Sequence, residues 1–289
     1  MRLFALVAAA PLALLAAPAL GQAAPAAVPP DAAAVAEPAG DSITIGAGAV
    51  YLPDYEGSND YRFTPAPGAL GSIHGFNFQL AGNRLSVDLI PDRPGPGLDL
   101  QAGPIGVVNF NRSSLKSIDD PRIRALGERD TAIELGGYVG IGKTGVITSD
   151  YDRLSFSISY RHDVNGAHRS GIWAPTANYL TPLSRKALVG LFASAEHVDD
   201  RYAQTYFSVL PSQVATSGLP AFNARGGWKN YTIGALGAVS LTGDLFHGFK
   251  LVGGGTYARL LNDFGDSPVT RIAGRRSQWL GTVGLAYTF

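Results

Sequence analysis

The chain has 289 residues with 23 basic and 23 acidic side chains, so its formal charge is zero and no basic excess indicates nucleic-acid binding. The absence of cysteine excludes disulfides, thiolate metal sites, cysteine nucleophiles and a lipoprotein anchor. Charged residues make up only 16% of the chain, whereas a soluble domain usually carries about 25%. With 36 glycines and 10% aromatic residues, this composition favours a membrane barrel over a soluble all-β domain, because a barrel spreads its apolar face over alternate residues.

Residues 1–23 have the pattern of a cleaved secretion signal. Arg2 supplies the positive start, and an apolar, alanine-rich run extends from Leu3 to Leu20. Small residues then predict cleavage near Gly21 or Ala23. A membrane anchor is the alternative, but two prolines and many alanines make this run a poor span. No second run of about 18 apolar residues follows, so we expect no transmembrane helix elsewhere.

Residues 24–41 form a stretch of alanine, proline and valine that cannot bury a core, and we interpret it as a disordered periplasmic linker. From residue 42 the composition changes to short alternating segments separated by turn residues. We therefore assign residues 42–289 to a single transmembrane β-barrel domain.

Strict alternation of apolar and polar residues marks the strands of this domain. In the segment from Leu154 to Arg161, apolar side chains fall on one face and three serines and an arginine fall on the other. The segment from Ile133 to Ile141 alternates in the same way, with small residues expected on the crowded inner face. The fold class predicted is all-β, a closed antiparallel transmembrane β-barrel.

The number of strands follows from length and parity. Both ends of a bacterial barrel face the periplasm, so the count is even, and a body of about 250 residues accommodates about 12 strands. Ten strands is the alternative, and the division between two strands at Gly82 and Asn83 is the least certain boundary in the prediction. The predicted strands lie near Ser42–Tyr51, Arg62–Ser72, Phe76–Ala81, Arg84–Ile90, Leu98–Phe110, Thr131–Gly142, Arg153–His162, Ile172–Leu180, Ala187–Val198, Asn230–Leu241, Phe249–Leu260 and Gln278–Phe289.

The last strand carries a feature that a soluble protein has no reason to keep. Val283, Leu285, Tyr287 and Phe289 share one face, and the chain stops on the exposed aromatic residue. This pattern resembles the signal that the barrel-assembly machinery reads, and aromatic residues at this position suit the membrane interface. The four residues are the predicted barrel-insertion signal, and outer-membrane lipid is the expected surrounding.

Three patterns suggest chemistry but are better explained by structure. Gly137 to Thr144 matches the phosphate-binding loop, yet a β-like run follows it where a helix is required. Ser113 and Lys116 have the spacing of serine β-lactamases without the other elements of that site. His197 lies beside three acidic residues, but no second histidine follows at ligand spacing. We therefore expect no catalytic residues, no metal and no cofactor.

A specific block resembles the MltA-interacting protein (MipA/OmpV) family of the outer membrane. It runs from Arg201 and Tyr202 through Tyr206 and Phe207, and is followed by Ser217-Gly-Leu-Pro220. Weaker matches agree in order from Tyr55 to the end of the chain, so the resemblance covers residues 42–289. It implies an outer-membrane barrel and a non-enzymatic scaffold that links a lytic murein transglycosylase to a penicillin-binding protein.

The matching block is the candidate interaction loop on this resemblance. Its proposed contact residues are Arg201, Tyr202, Gln204, Tyr206, Phe207, Ser217, Gly218, Leu219 and Pro220. The alternative is that the aromatic residues of this loop pack into the barrel mouth. For the whole protein the alternatives are a small porin-like channel for ions or small solutes and, less favoured, an outer-membrane hydrolase that uses His162 or His197.

Overall fold

A computed structural model describes residues 41–91 and 97–289 of the chain. The predicted signal peptide, residues 1–23, lies outside the described residues, as does all but the last residue of the predicted linker, 24–41. Those two assignments stay predictions. The barrel domain predicted from residue 42 falls within the described part.

The described residues form twelve antiparallel strands that close into a barrel. The first strand pairs with the last from Thr44 with Thr288 to Tyr51 with Gly281, so the sheet has no free end. The prediction of 12 strands is confirmed, and the alternative of ten is wrong. The strands are β1 Ser42–Pro53, β2 Tyr61–Ile73, β3 Phe76–Ala81, β4 Arg84–Val87, β5 Leu98–Asn109, β6 Ala132–Thr144, β7 Arg153–Asp163, β8 Gly171–Ser184, β9 Ala187–Val198, β10 Gly227–Ser240, β11 Gly248–Leu260 and β12 Ser277–Thr288.

The alternation in the sequence places side chains on the two faces of the wall as predicted. On β7, Phe156 and Ile158 are exposed on the outside, whereas Ser155 and Ser159 are buried inside. An apolar outer face and a mostly polar interior are the arrangement expected of a barrel in a lipid bilayer. Paired aromatic rings lie on the outer face near one end of the barrel, with ring planes tilted by 44° for Tyr160 and Trp173 and by 58° for Tyr257 and Trp279.

The two ends of the barrel differ in the length of their connections. The start of β1, the end of β12 and the shorter turns lie at one end, which is the periplasmic end in barrels of this type. The other end carries long connections with short helices, and none of the helices in the described residues is long and apolar enough to cross a membrane. The helices are α1 Pro121–Arg124, α2 Asp200–Phe207, α3 Val214–Ser217, α4 Asn262–Asp266 and α5 Pro268–Arg271.

The fourth strand ends earlier than predicted. The sequence predicts a strand over Arg84–Ile90, but β4 ends at Val87. The reason is Asp88, whose carboxylate accepts hydrogen bonds from the backbone N–H groups of Ile90 at 3.0 Å and Ala102 at 3.1 Å. The side chain thus takes the place of a ladder bond. The other predicted bounds agree with the structure within a few residues.

The short hairpin of β3 and β4 leaves a gap in the wall of the barrel. Pairing of β2 with β3 extends only from Ile73 to Gly68, and the last backbone contact is Gly82 N–H to Pro67 carbonyl at 3.0 Å. In the described structure, residues 61–66 of β2 have a strand partner on the β1 side only. We call this unpaired edge the β2 gap.

Two prolines fit the unpaired edge. The carbonyl of Pro67 points toward β3, and Pro65, two residues earlier, has the same orientation along the strand. Each proline lacks the N–H group that would otherwise be left without a partner here. Prolines are confined to such edges in sheets, so the sequence itself marks this part of β2 as an edge.

The terminal phenylalanine provides a test of the predicted insertion signal. The backbone N–H of Phe289 bonds to the Ile43 carbonyl, but its ring is exposed and packs only on Tyr287. We expect Phe289→Ala to reduce the amount of folded barrel in cells severalfold. In detergent the same change should alter the free energy of unfolding by at most about 1 kcal/mol, as exposed positions do.

Phe249→Ala is the matched control, because this ring also lies on the outer face against Tyr287. Folded barrel is measured by faster gel migration of unboiled protein. Equal yields of both variants in cells would show that Phe289 carries no assembly signal.

Candidate functional site

The long connections at the extracellular end fold over the barrel mouth. We call residues 54–60, 110–131, 199–226 and 261–276 the lid. Its side chains form two hydrophobic clusters, the first together with residues at the ends of β8, β9 and β11. Such clusters stabilise a folded protein by about 25 cal/mol per Å² of apolar surface removed from water. The first contains Ile172, Val198, Tyr202, Ala203, Tyr206, Phe207, Ala224, Leu260 and Phe264. The second contains Tyr55, Ile118, Ile123, Leu126, Val209, Leu219, Val269 and Ala273.

Four buried charged side chains lie directly beneath the lid, and Glu56 of the lid, which is largely buried, contacts them. We call these five residues the charge cluster. Lys229 bridges two carboxylates, Glu56 at 2.7 Å and Glu196 at 2.6 Å. Arg161 joins Glu196 to Glu134 through one guanidinium nitrogen each. The chain of contacts therefore alternates in sign across the interior. Such alternation offsets the desolvation that each buried charge suffers.

A break in the strand pairing brings Lys229 into the cluster. The register between β9 and β10 shifts between Trp228 and Asn230, so Lys229 is an extra residue in β10. Both Lys229 and Asn230 are buried, while Trp228 is exposed on the outer face. A β-bulge re-aims a side chain in this manner, and here it brings an ammonium group between two carboxylates.

The lid contacts the charge cluster through helix α2. The Tyr202 hydroxyl donates to Glu56 at 2.9 Å and accepts from Lys229 at 3.2 Å, and the ammonium lies 4.8 Å from the ring centroid. His168 Nε2 lies 3.3 Å from Glu134, and its ring packs against Tyr202 and Tyr206. Burial raises the pKa of both tyrosines, and the nearby Glu56 and Glu134 raise it further, so both hydroxyls stay neutral.

Two arginines of the β5–β6 connection form hydrogen bonds to backbone carbonyl groups of the lid. Buried Arg112 donates to the carbonyl oxygens of Tyr206 and Gly127, each at 3.1 Å. Arg129 donates to the Thr205 carbonyl at 2.7 Å. Burial, with a further contribution from Arg129, lowers the pKa of Arg112 to about 9. The bonds to Thr205 and Tyr206 satisfy carbonyl groups at the C-terminal end of α2, which have no hydrogen-bond partner within the short helix.

The structure divides the candidate interaction loop into a buried part and an exposed part. Tyr202, Tyr206, Phe207, Ser217 and Leu219 are buried, the first three in the first hydrophobic cluster and Leu219 in the second. The exposed residues of the loop are Arg201, Gln204, Gly218 and Pro220. The loop lies at the end with the long connections. A recognition role for its exposed residues stays a prediction.

The three sequence patterns that suggested chemistry have structural explanations. Gly137 to Thr144 lies within strand β6, where no helix follows. Ser113 and Lys116 lie at a 3₁₀ turn rather than on a buried helix. His197 points outward and packs edge-on against Trp228, whereas its neighbour Glu196 points into the charge cluster. No group of three metal-ligating side chains occurs within residues 41–91 and 97–289.

Most of the charge cluster was not predicted from the sequence. Period-two alternation places Glu134 and Arg161 on inner faces, which is a signal that they could meet. Applied to β9, the same alternation separates inward Glu196 from outward His197. Lys229 depends on the bulge, and Glu56 and His168 lie outside the strands, so no periodicity reveals them.

The interior below the charge cluster holds a cavity of about 370 Å³. It extends from the middle of the barrel to the periplasmic end, where Ser42, Lys250 and Thr288 line it. Gly82 and Asn83 at the tip of the short hairpin also line it. The lid and the charge cluster separate this cavity from the extracellular side.

A closed barrel with an apolar outer face and short turns at one end defines a transmembrane protein of the bacterial outer membrane. The family model for MipA, the MltA-interacting protein, matches residues 45–289. The chain belongs to this family, as its sequence resemblance predicted, and it is an outer-membrane protein. No curated protein matches the chain in sequence.

Solved structures with a similar fold are outer-membrane channels of low sequence identity. An outer membrane channel from Pseudomonas putida F1 is 13% identical, with 87% of this chain and 96% of that chain covered and a TM-score of 0.44. The CymD monoaromatic hydrocarbon channel is 10% identical, with 86% and 89% covered and a TM-score of 0.39. The channel DcaP of Acinetobacter baumannii is 11% identical, with 86% and 96% covered and a TM-score of 0.37. No functional conclusion is drawn from these likenesses.

Removal of the central cation tests the energetic role of the charge cluster. We expect Lys229→Met to lower the free energy of unfolding by about 3–5 kcal/mol, because it leaves Glu56 and Glu196 buried with one partner fewer. Urea titration of the detergent-folded barrel measures this. Lys229→Met with Glu196→Gln should recover part of the loss, since the second change removes one of the uncompensated charges.

Lys186→Met is the control, because this lysine lies exposed in a periplasmic turn. It should change the free energy of unfolding by no more than about 0.5 kcal/mol. If Lys229→Met were as stable as Lys186→Met, the cluster would have no part in holding the lid.

Proposed function

We propose that the protein is a non-enzymatic binding protein of the outer membrane that engages a lytic murein transglycosylase at the periplasmic end of the barrel. Membership of the MltA-interacting protein family supports the class of partner. A penicillin-binding protein as a second partner is part of the same proposal. Among the described residues no serine hydroxyl bonds to a histidine ring, so the geometry offers no support for the hydrolase alternative.

The closed mouth is the observation that carries this proposal over an open pore. Two hydrophobic clusters and the charge cluster occupy the extracellular half of the interior. An ion crossing the barrel would have to displace buried aromatic rings and break ion pairs. A constitutive diffusion pore keeps a water-filled interior instead.

The position of murein decides which end of the barrel meets the partner. Murein enzymes act on the periplasmic side, whereas the block from Arg201 to Pro220 lies at the extracellular end. The proposal therefore places the contact with the partner at the periplasmic end and not at that block. In the described residues the periplasmic end presents the shorter connections between strands, and the proposed contact is made by one of them.

The turn between β6 and β7 is the candidate that we choose for this contact, because one carboxylate binds several of its backbone groups. Asp152 accepts backbone N–H bonds from Val146 at 2.6 Å, Ile147 at 2.9 Å and also Thr148, and a hydroxyl bond from Tyr179 at 2.9 Å. Burial alone would raise the pKa of Asp152, but these bonds together hold it well below its usual value. The turn is thereby fixed while Ile147 and Tyr151 stay exposed.

A binding measurement tests the proposal. The full chain, folded in lipid nanodiscs, is titrated with the lytic murein transglycosylase of the same bacterium. We expect saturable binding, and Ile147→Ser with Tyr151→Ser should raise the Kd about tenfold or more, as the loss of apolar anchors does. Arg201→Ser with Gln204→Ser, at the extracellular end, is the matched control and should leave the Kd unchanged.

Two results would overturn the proposal. One is the absence of binding by the unmodified chain, which would show that the transglycosylase is not a partner of this protein. The other is a loss of binding in the Arg201 and Gln204 variant alone, which would place the contact at the wrong end.

The second candidate function is a small channel, and the cavity favours it. The cavity reaches the periplasmic end, and its upper part meets the β2 gap at Gly82 and Asn83. Passage along the barrel axis would require the lid to open. Such a channel would be gated rather than continuously open.

A further inference from the structure

Half of the inner wall of the barrel is apolar, which a water-filled interior does not require. Inward side chains of β3 to β5 that line the cavity are polar, as expected. On β1, β2 and β9 to β12 the lining contains six aliphatic side chains, interspersed with hydroxyl groups such as those of Thr44, Thr256 and Thr282. The polar set is Asn77, Gln79, Ser86 and Gln101, and the aliphatic set is Val50, Leu70, Leu188, Leu236, Val252 and Leu280.

A single lysine lies at the periplasmic end of this apolar wall. Lys250 lines the cavity, is only 6% exposed, and donates a hydrogen bond to the Thr288 hydroxyl. Within residues 41–91 and 97–289, no carboxylate forms an ion pair with it. Asp88 also lines the cavity, but backbone N–H groups of Ile90 and Ala102 bind its carboxylate.

Asp244 attracts the ammonium group of Lys250 without forming an ion pair with it. A buried cation with no carboxylate in contact is costly, and an anion placed beside it would recover that cost. The ammonium group of Lys250 can therefore accept an anionic partner from outside the chain. The apolar wall above it can accept a tail that prefers to leave water.

The β2 gap gives such a molecule a route from the membrane. Ala66 and Pro67 on β2 and Gly82 and Asn83 at the hairpin tip line both the gap and the cavity. Access through this gap, or from the periplasmic end, leaves the lid in place.

We propose that the cavity binds a long-chain carboxylate, with its head group at Lys250 and its aliphatic tail along the inner face of β2 and β10 to β12. The volume of about 370 Å³ lies at the lower end of the roughly 300–1,000 Å³ range of small-molecule sites. This site is separate from the proposed contact with a murein enzyme and does not depend on it.

Native mass spectrometry of the full chain with added dodecanoate tests the head-group assignment. We expect one dodecanoate per barrel, bound about tenfold or more tightly than dodecanol, since a charge-assisted bond adds to the affinity for the carboxylate alone. Lys250→Met should remove this preference. Equal binding of the two probes to the unmodified chain would overturn the role of Lys250.

Two variants on one strand test where the tail lies. Val252→Phe places a ring in the cavity, whereas Leu251→Phe places the same ring on the outer, lipid-facing surface. Dodecanoate binding should fall about tenfold or more in the first and stay unchanged in the second, because only the first occupies the site. Faster gel migration of unboiled protein verifies that each variant is folded. No complex with the unmodified chain, or equal binding by both variants, would overturn the proposal.

Discussion

Burial of the charge cluster is the constraint on which the extracellular half of the molecule depends. Three carboxylates meet two cations, so the cluster keeps an excess of negative charge that needs hydrogen-bond donors. The Tyr202 hydroxyl and the Asn109 amide supply them, and His168 lies against Glu134. A charge that loses its partners in a dry interior costs several kcal/mol. The lid therefore packs where it completes the cluster, and its hydrophobic clusters form in that position.

The same constraint separates the two ends of the barrel in function. Above the cluster the interior is filled, and below it a cavity remains that communicates with the periplasmic end and with the β2 gap. The gap exists because β3 and β4 are short, and two prolines limit the number of backbone groups it leaves without partners. The proposed contact with a murein enzyme and the proposed binding of a long-chain carboxylate both leave the extracellular side closed.

The sequence predicted the barrel well because period-two alternation is a local property. Even the division at Gly82 and Asn83 was correct, since the turn residues there mark it directly. The predicted end of β4 was wrong because the Asp88 carboxylate, and not a backbone carbonyl of β4, accepts the hydrogen bond from the Ala102 N–H group. No periodicity in the sequence shows this. The alternative that the aromatic residues of the 201–220 block pack into the barrel mouth agrees with the burial of Tyr202 and Phe207. Their packing partners could not be predicted, because these partners lie far away in sequence. Lys229 required a bulge, so its part in the cluster was equally hidden.

Planar-bilayer conductance tests the closed mouth most directly. The purified full chain should give no steady current at moderate voltage. A variant in which residues 200–224 are replaced by a short glycine–serine linker should conduct, because it loses α2 and with it the first hydrophobic cluster and the Tyr202 contact to the charge cluster. A steady current through the unmodified protein, equal to that of the variant, would contradict the account.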